Sequence, residues 1–215
     1  MNRLAGDAAA FKSVYVELKE IINDPCKFAG ESIFQSLSLT DLSPHLVLRD
    51  SDIDSALKPL MTMATSSLID SQREATFILC NLSSHDDMQQ PLYDNGFIDV
   101  LVSLISSPNE LVRQHAMFAL GNLSTSPSCQ GAMLASGIVK YVLAMTEDGP
   151  YQSTELRREG IRILANLANR FSAQIVASVG EDAISTWIDK IDNVRDDRLK
   201  IHAFNAKEYF TAVMI

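Results

Sequence analysis

Cysteine occurs three times in the 215-residue chain, histidine four times and tryptophan once. Cys26, Cys80 and Cys129 are far apart, form no C-x-x-C pair and have no histidine at ligand spacing, which excludes a zinc module and a disulfide scaffold. A reducing compartment is expected. No apolar run reaches the roughly 18 residues of a membrane span. The amino terminus, Met1-Asn2-Arg3-Leu4, has neither the apolar core of a signal peptide nor the glycine needed for myristoylation. A cytoplasmic or nuclear location without direct membrane insertion follows as the expectation. Basic side chains are scarce, 18 Lys and Arg against 27 Asp and Glu, and the net charge of −9 is interspersed along the chain. This balance argues against a nucleic-acid partner, which requires clustered cations to neutralise phosphates.

Catalytic signatures are missing as well. There is no glycine-rich phosphate loop, zinc signature or nucleophile elbow. His45, His85, His115 and His202 are scattered, and the pairs Asp86-Asp87 and Asp196-Asp197 fall in expected turns, where they read as solubilising or capping groups. No catalytic residue, metal ligand or cofactor is therefore assigned, and the chain is expected not to be an enzyme.

What the chain does have is repetition. Phe77-Ile78-Leu79-Cys80-Asn81-Leu82-Ser83, Phe118-Ala119-Leu120-Gly121-Asn122-Leu123-Ser124 and Arg162-Ile163-Leu164-Ala165-Asn166-Leu167-Ala168 are near copies, with asparagines 41 and 44 residues apart. A period of about 40 residues marks a solenoid of stacked helical units, and this length holds roughly five. Aligning on the asparagines brings Asn95-Gly96, Ser136-Gly137 and Val179-Gly180 into register. Each glycine is expected to stop a long helix through a left-handed cap. The stretches after two of them, 97–105 and 138–145, have apolar spacing that suits a short buried helix, although their β-branched residues suit a strand locally. Ser106-Ser107-Pro108-Asn109-Glu110 then breaks the chain and restarts it, and a longer break over 148–154 accounts for the extra residues of the next unit.

The stretch from Gly96 to Ser124 closely resembles an armadillo repeat, and the resemblance extends from about Ser51 to Gly180. It implies three helices per repeat, short, medium and long. The expected fold is all-α, a right-handed α-solenoid of about five armadillo-type repeats in one domain, residues 1–215, with units at about 10–50, 51–96, 97–137, 138–180 and 181–215. The end units are degenerate: residues 14–38 keep the helix grammar with Ser36 in place of the asparagine, and residues 184–210 keep it with Tyr209 near that place.

Around the long helix, at about 100° per residue, side chains divide into two faces. Leucines occupy the positions two before and one after every asparagine (Leu79 and Leu82, Leu120 and Leu123, Leu164 and Leu167), and Ala75, Ala116 or Gly160 lies six before. That face belongs to the core. Cys80, Gly121 and Ala165 share one position, so Cys80 reads as a small packing residue rather than a reactive thiol. The opposite face carries Asn81, Phe77, Glu74 and Arg73, then Asn122, Phe118, His115 and Gln114, then Asn166, Arg162, Glu159 and Arg158. His115 is the only histidine expected on it.

An asparagine amide offers a donor and an acceptor, so it can hold one peptide unit of a partner whatever that partner's sequence. It can equally brace the backbone of a neighbouring repeat. In the armadillo family, as the resemblance implies, such asparagines bind extended peptides, and in the importin-α branch they alternate with tryptophans four positions earlier. Here that position holds Phe77, Phe118 and Arg162. The aromatic rings suit a cationic side chain, whereas Arg162 is expected to repel one, which argues against a nuclear-localisation-signal receptor. Trp187, in the short helix of the last unit, is expected to pack. The candidate partner-binding residues are thus Asn81, Asn122, Asn166, Phe77, Phe118, Arg162, Arg73, Gln114, His115 and Arg158. The function expected is a non-catalytic scaffold or adaptor that binds an extended peptide segment of a protein partner as a monomer or weak homo-oligomer. The alternative is a structural, oligomerising element whose groove stays empty.

Overall fold

The computed structural model describes residues 50–145, 153–192 and 197–214. The unit expected over 14–38, Cys26, His45 and most of the long break at 148–154 lie outside these residues. The described helices are, in order, α1 (Asp50–Ala64), α2 (Ile69–Ser83), α3 (Asp86–Asp94), α4 (Phe97–Leu104), α5 (Glu110–Leu123), α6 (Pro127–Ala135), α7 (Ile138–Met145), α8 (Thr154–Val179), α9 (Glu181–Asp192) and α10 (Asp197–Thr211). No strand occurs among the described residues, and no helix there is long and apolar enough to cross a membrane.

The β-branched stretches are helices, and their burial shows why. Phe97, Ile98, Leu101, Val102 and Ile105 are buried while Asp99 and Ser103 are exposed. This is the three-to-four spacing of a helix face, and a half-buried strand would bury every second residue. The restart at Glu110 follows the expected chemistry: Asn109 Oδ1 accepts from the Val112 N–H at 3.2 Å, and Glu110 occupies the first turn. Ser153 Oγ does the same for the Leu156 N–H at 3.2 Å at the start of α8.

Two expectations are corrected. Gly96 and Gly137 do not stop long helices. Instead α2 ends at Ser83 and α5 at Leu123, a nine-residue helix (α3 or α6) intervenes, and each glycine then turns the chain into the next short helix with φ of 77° or 79°. The hydroxyls after the asparagines accompany the early stop, since Ser84 Oγ and Thr125 Oγ1 donate at 2.7 Å to the backbone carbonyls of Asn81 and Asn122. In the third unit Asn169 replaces that hydroxyl residue. The helix there runs on through a kink at Phe171 (φ −125°, ψ 16°) to Val179, so only Gly180 (φ 90°) ends a long helix. The second correction concerns Asp86-Asp87, which form the first turn of α3 rather than a loop, a position where the helix dipole favours them.

Consecutive long helices stack, α2 on α5, α5 on α8 and α8 on α10, with α4 and α7 packed behind α5 and α8. Leu79, Leu120, Leu123, Leu164 and Leu167 are fully buried and Leu82 is half-buried, as their helical face requires. Each buried leucine contributes roughly 1.5–3 kcal/mol through removal from water. Trp187 packs as expected, 1% exposed and edge-on to Phe210 with ring centroids 6.1 Å apart.

Candidate functional site

The face opposite the leucines is formed by α2, α5 and α8 in succession, and nearly every side chain on it is half-buried. Glu159 is the exception, being buried. Arg73 pairs with Asp70 at 3.3 Å and Glu74 at 3.4 Å, and the Gln114 amide donates to Glu110 at 3.0 Å. The Phe77 ring lies 5.4 Å from the His115 ring across the α2–α5 junction. Burial holds His115 below the ordinary histidine value. The side chains of Phe118 and Arg158 are half-buried and make no hydrogen bond or ion pair among the described residues.

Two of the three asparagines brace the stack. Asn122 Nδ2 donates to Ser83 Oγ at 3.1 Å and to the Cys80 carbonyl at 3.3 Å, and Asn166 Nδ2 donates to Ser124 Oγ at 2.8 Å. In both cases the hydroxyl acceptor is the serine two residues after the previous unit's asparagine, so the amide–hydroxyl contact repeats along the stack. The other end of Asn122 is also engaged, because Arg162 donates to Asn122 Oδ1 at 3.2 Å. Asn81 makes no side-chain bond among the described residues.

Arg162 is itself held by Glu159, with Nε 2.7 Å from the carboxylate oxygen. The buried carboxylate offsets the guanidinium charge, which weakens the expected repulsion of a cationic ligand at this point. Gly121 makes room for the pair: a Cβ there would overlap the Arg162 guanidinium and the Glu159 carboxylate. The same neighbourhood pushes the half-buried Cys80 thiol up to about 11, through burial first and Glu159 second, with Arg162 opposing. Burial raises Cys129 as well. Neither thiol has the low pKa of a reactive nucleophile.

Three further participants were not among the residues expected from the sequence. Gln89 Nε2 reaches the carbonyls of Ser83 at 3.3 Å and Asn122 at 3.4 Å, and Gln130 Nε2 reaches those of Ser124 at 2.9 Å and Asn166 at 3.3 Å. These glutamines clip the ends of successive long helices together. Their separation of 41 residues matches the first asparagine interval, a signal the alignment contained. The third is His202, and it corrects the expectation that His115 is the only histidine on this face. His202 lies seven residues before Tyr209, as His115 lies seven before Asn122. It lines a cavity of about 290 Å³ between α8 and α10 together with Thr125, Gln130, Ala165, Asn166, Asn169, Asn205 and Tyr209. Burial and then the Arg162 charge lower its pKa, with Glu159 opposing.

Comparison with known proteins agrees with this architecture. The model of the family described as Armadillo-like matches residues 48–186. Importin subunit alpha-1b of Oryza sativa subsp. japonica is 41% identical over 68 residues, 31% of this chain and 13% of the relative. Junction plakoglobin of Xenopus laevis is 29% identical over 149 residues, 67% of this chain and 20% of the relative. The chain thus spans a fifth or less of the length of these two curated relatives. Among solved structures, an engineered protein superposes with a TM-score of 0.63 at 24% identity, over 77% of this chain and 68% of the other. A designed armadillo repeat protein in complex with the peptide (KR)4 superposes with a TM-score of 0.60 at 22% identity, over 75% and 69%. With the family match covering well over half of its residues, the stacked three-helix units and the shared fold, the chain belongs to the armadillo-like family.

Proposed function

We propose that the protein is a non-catalytic scaffold that holds an extended segment of a protein partner along the α2–α5–α8 face, in the cytoplasm or nucleus. The observation that carries this reading is the unspent polar surface of that face. The side chains of Arg158 and Asn81 bond no other described residue, and Asn166 Oδ1 has no donor among the described residues. Family membership supports a protein-binding role, and a designed protein of the same fold is in complex with the peptide (KR)4. The charges of this chain's face are largely paired among themselves, Arg73 with Asp70 and Glu74 and Arg162 with Glu159, which leaves Arg158 as the unpaired charge among the described residues of the face.

The test is selection of extended peptides from a displayed library, followed by affinity measurement on the Asn81→Ala/Arg158→Ala double variant. Binding should weaken at least about tenfold, equivalent to about 1.4 kcal/mol, while the melting temperature stays unchanged. Unaltered affinity, or affinity lost only in step with the fold, contradicts the reading. One observation favours self-association as a second reading: Ile201 and Phe204, on α10, are 58% and 59% exposed.

A further inference from the structure

The hydrogen-bond inventory changes abruptly along the stack. At Asn122 both ends of the amide are committed, to Ser83 and Cys80 on one side and to Arg162 on the other. One unit later the amide–hydroxyl contact stops repeating, because Ala168 stands where Ser83 and Ser124 supply acceptors. The cavity between α8 and α10 opens at this interruption, and its lining has hydrogen-bonding capacity left over. Asn166 Oδ1 and the polar side-chain atoms of Asn169, His202, Asn205 and Tyr209 are unbonded among the described residues. Gln130, 6% exposed, uses its Nε2 on two carbonyls and leaves Oε1 buried with no partner. Such an oxygen costs about 1–3 kcal/mol until a donor reaches it.

The charge of the lining selects the ligand. None of the lining residues is a carboxylate, a lysine or an arginine, and burial together with Arg162 favours neutral His202, against Glu159. A cation entering here has no counter-charge, since Glu159 is already paired with Arg162. An anion meets no cation in the lining. A neutral group with both donors and an acceptor fits: an N–H meets the spare Oδ1 of Asn166, and its carbonyl meets the amides of Asn169 and Asn205 or the Tyr209 hydroxyl.

From this geometry we infer that the α8–α10 cavity is a binding pocket for a neutral primary carboxamide, supplied by an asparagine or glutamine side chain of the bound segment. The assignment to a partner's side chain rests on the proposed groove function; the pocket's own preference for the carboxamide does not.

The test is titration of the full chain with propionamide, followed through the side-chain amide resonances of Asn166, Asn205 and Gln130 by NMR. N,N-dimethylpropionamide, which lacks N–H donors, n-butylammonium and butyrate serve as comparison probes. Propionamide should produce saturable shifts at these groups and bind at least about tenfold more tightly than each comparison probe, a ratio worth about 1.4 kcal/mol. Asn205→Ala and Tyr209→Phe, which break no described hydrogen bond, should weaken propionamide binding severalfold with an unchanged melting temperature. Equal or stronger binding of the ammonium or carboxylate probe, or no saturable shift with propionamide, overturns the pocket. If propionamide binds while no library peptide uses the face, the pocket stands and the groove function falls. If peptides bind through Asn81 and Arg158 while propionamide does not, the reverse holds.

Discussion

The three signature asparagines are not equivalent, although their sequence settings are nearly identical. Removing the Asn122 side chain leaves Ser83 Oγ, the Cys80 carbonyl and the Arg162 guanidinium each short of a partner. Asn122→Ala should therefore cost about 1–3 kcal/mol in chemical denaturation, whereas Asn81→Ala should stay within about 0.5 kcal/mol of the parent. Equal losses would refute the bracing role. The leucines were legible from the sequence because burial follows directly from helical period. The bonds of the asparagines were not, because each acceptor lies in another repeat and its distance depends on how closely the long helices stack.

His115 and His202 both lie below the ordinary value of 6.5 in the folded chain, chiefly through burial. Below about pH 6.5 the unfolded chain takes up protons that the folded chain resists, so stability is full above that pH and declines as pH falls toward the folded values. Urea midpoints measured from pH 8 to pH 5 should show this decline, and His115→Gln/His202→Gln should flatten it. A midpoint that rises on acidification over that interval would contradict the environment described.

Among the elements, the short-helix junctions depend on backbone geometry more than on contacts. Gly96 and Gly137 sit at positive φ, and a Cβ on either would meet nothing within 4 Å. The cost of Gly96→Ala or Gly137→Ala is thus conformational, about 1–2 kcal/mol each, and should be seen as a lower melting temperature without rearranged packing. The separate helices α3 and α6 were not expected, whereas the period of the long helices and the Pro108–Asn109 restart were readable. Which helix each glycine follows was not, because the stop at Ser83 and Leu123 is local hydroxyl chemistry that apolar spacing does not record. The continuous α8 makes the same point, since Ala168 and Asn169 stand where the earlier units place hydroxyls.

Across the whole molecule, stability is distributed over neighbouring contacts, so damage to one junction should propagate along the stack. Leu120 is fully buried within α5, which packs on both α2 and α8. Leu120→Ala should cost about 2–5 kcal/mol, with hydrogen exchange accelerating in all three helices; acceleration confined to α5 would show that the units unfold independently. Self-association through the exposed Ile201 and Phe204 is checked by sedimentation across a dilution series, where a concentration-independent monomer excludes it. The central claim is that the α2–α5–α8 face, through to the α10 cavity, is where a partner segment lies. Its most direct test is chemical-shift mapping of the full chain with a library-selected extended peptide. Perturbations should follow Asn81, Phe118, Arg158, Asn166 and Tyr209 in order along the stack; perturbations clustered instead around the exposed Tyr93 and Tyr141 of α3 and α7 would place the partner elsewhere.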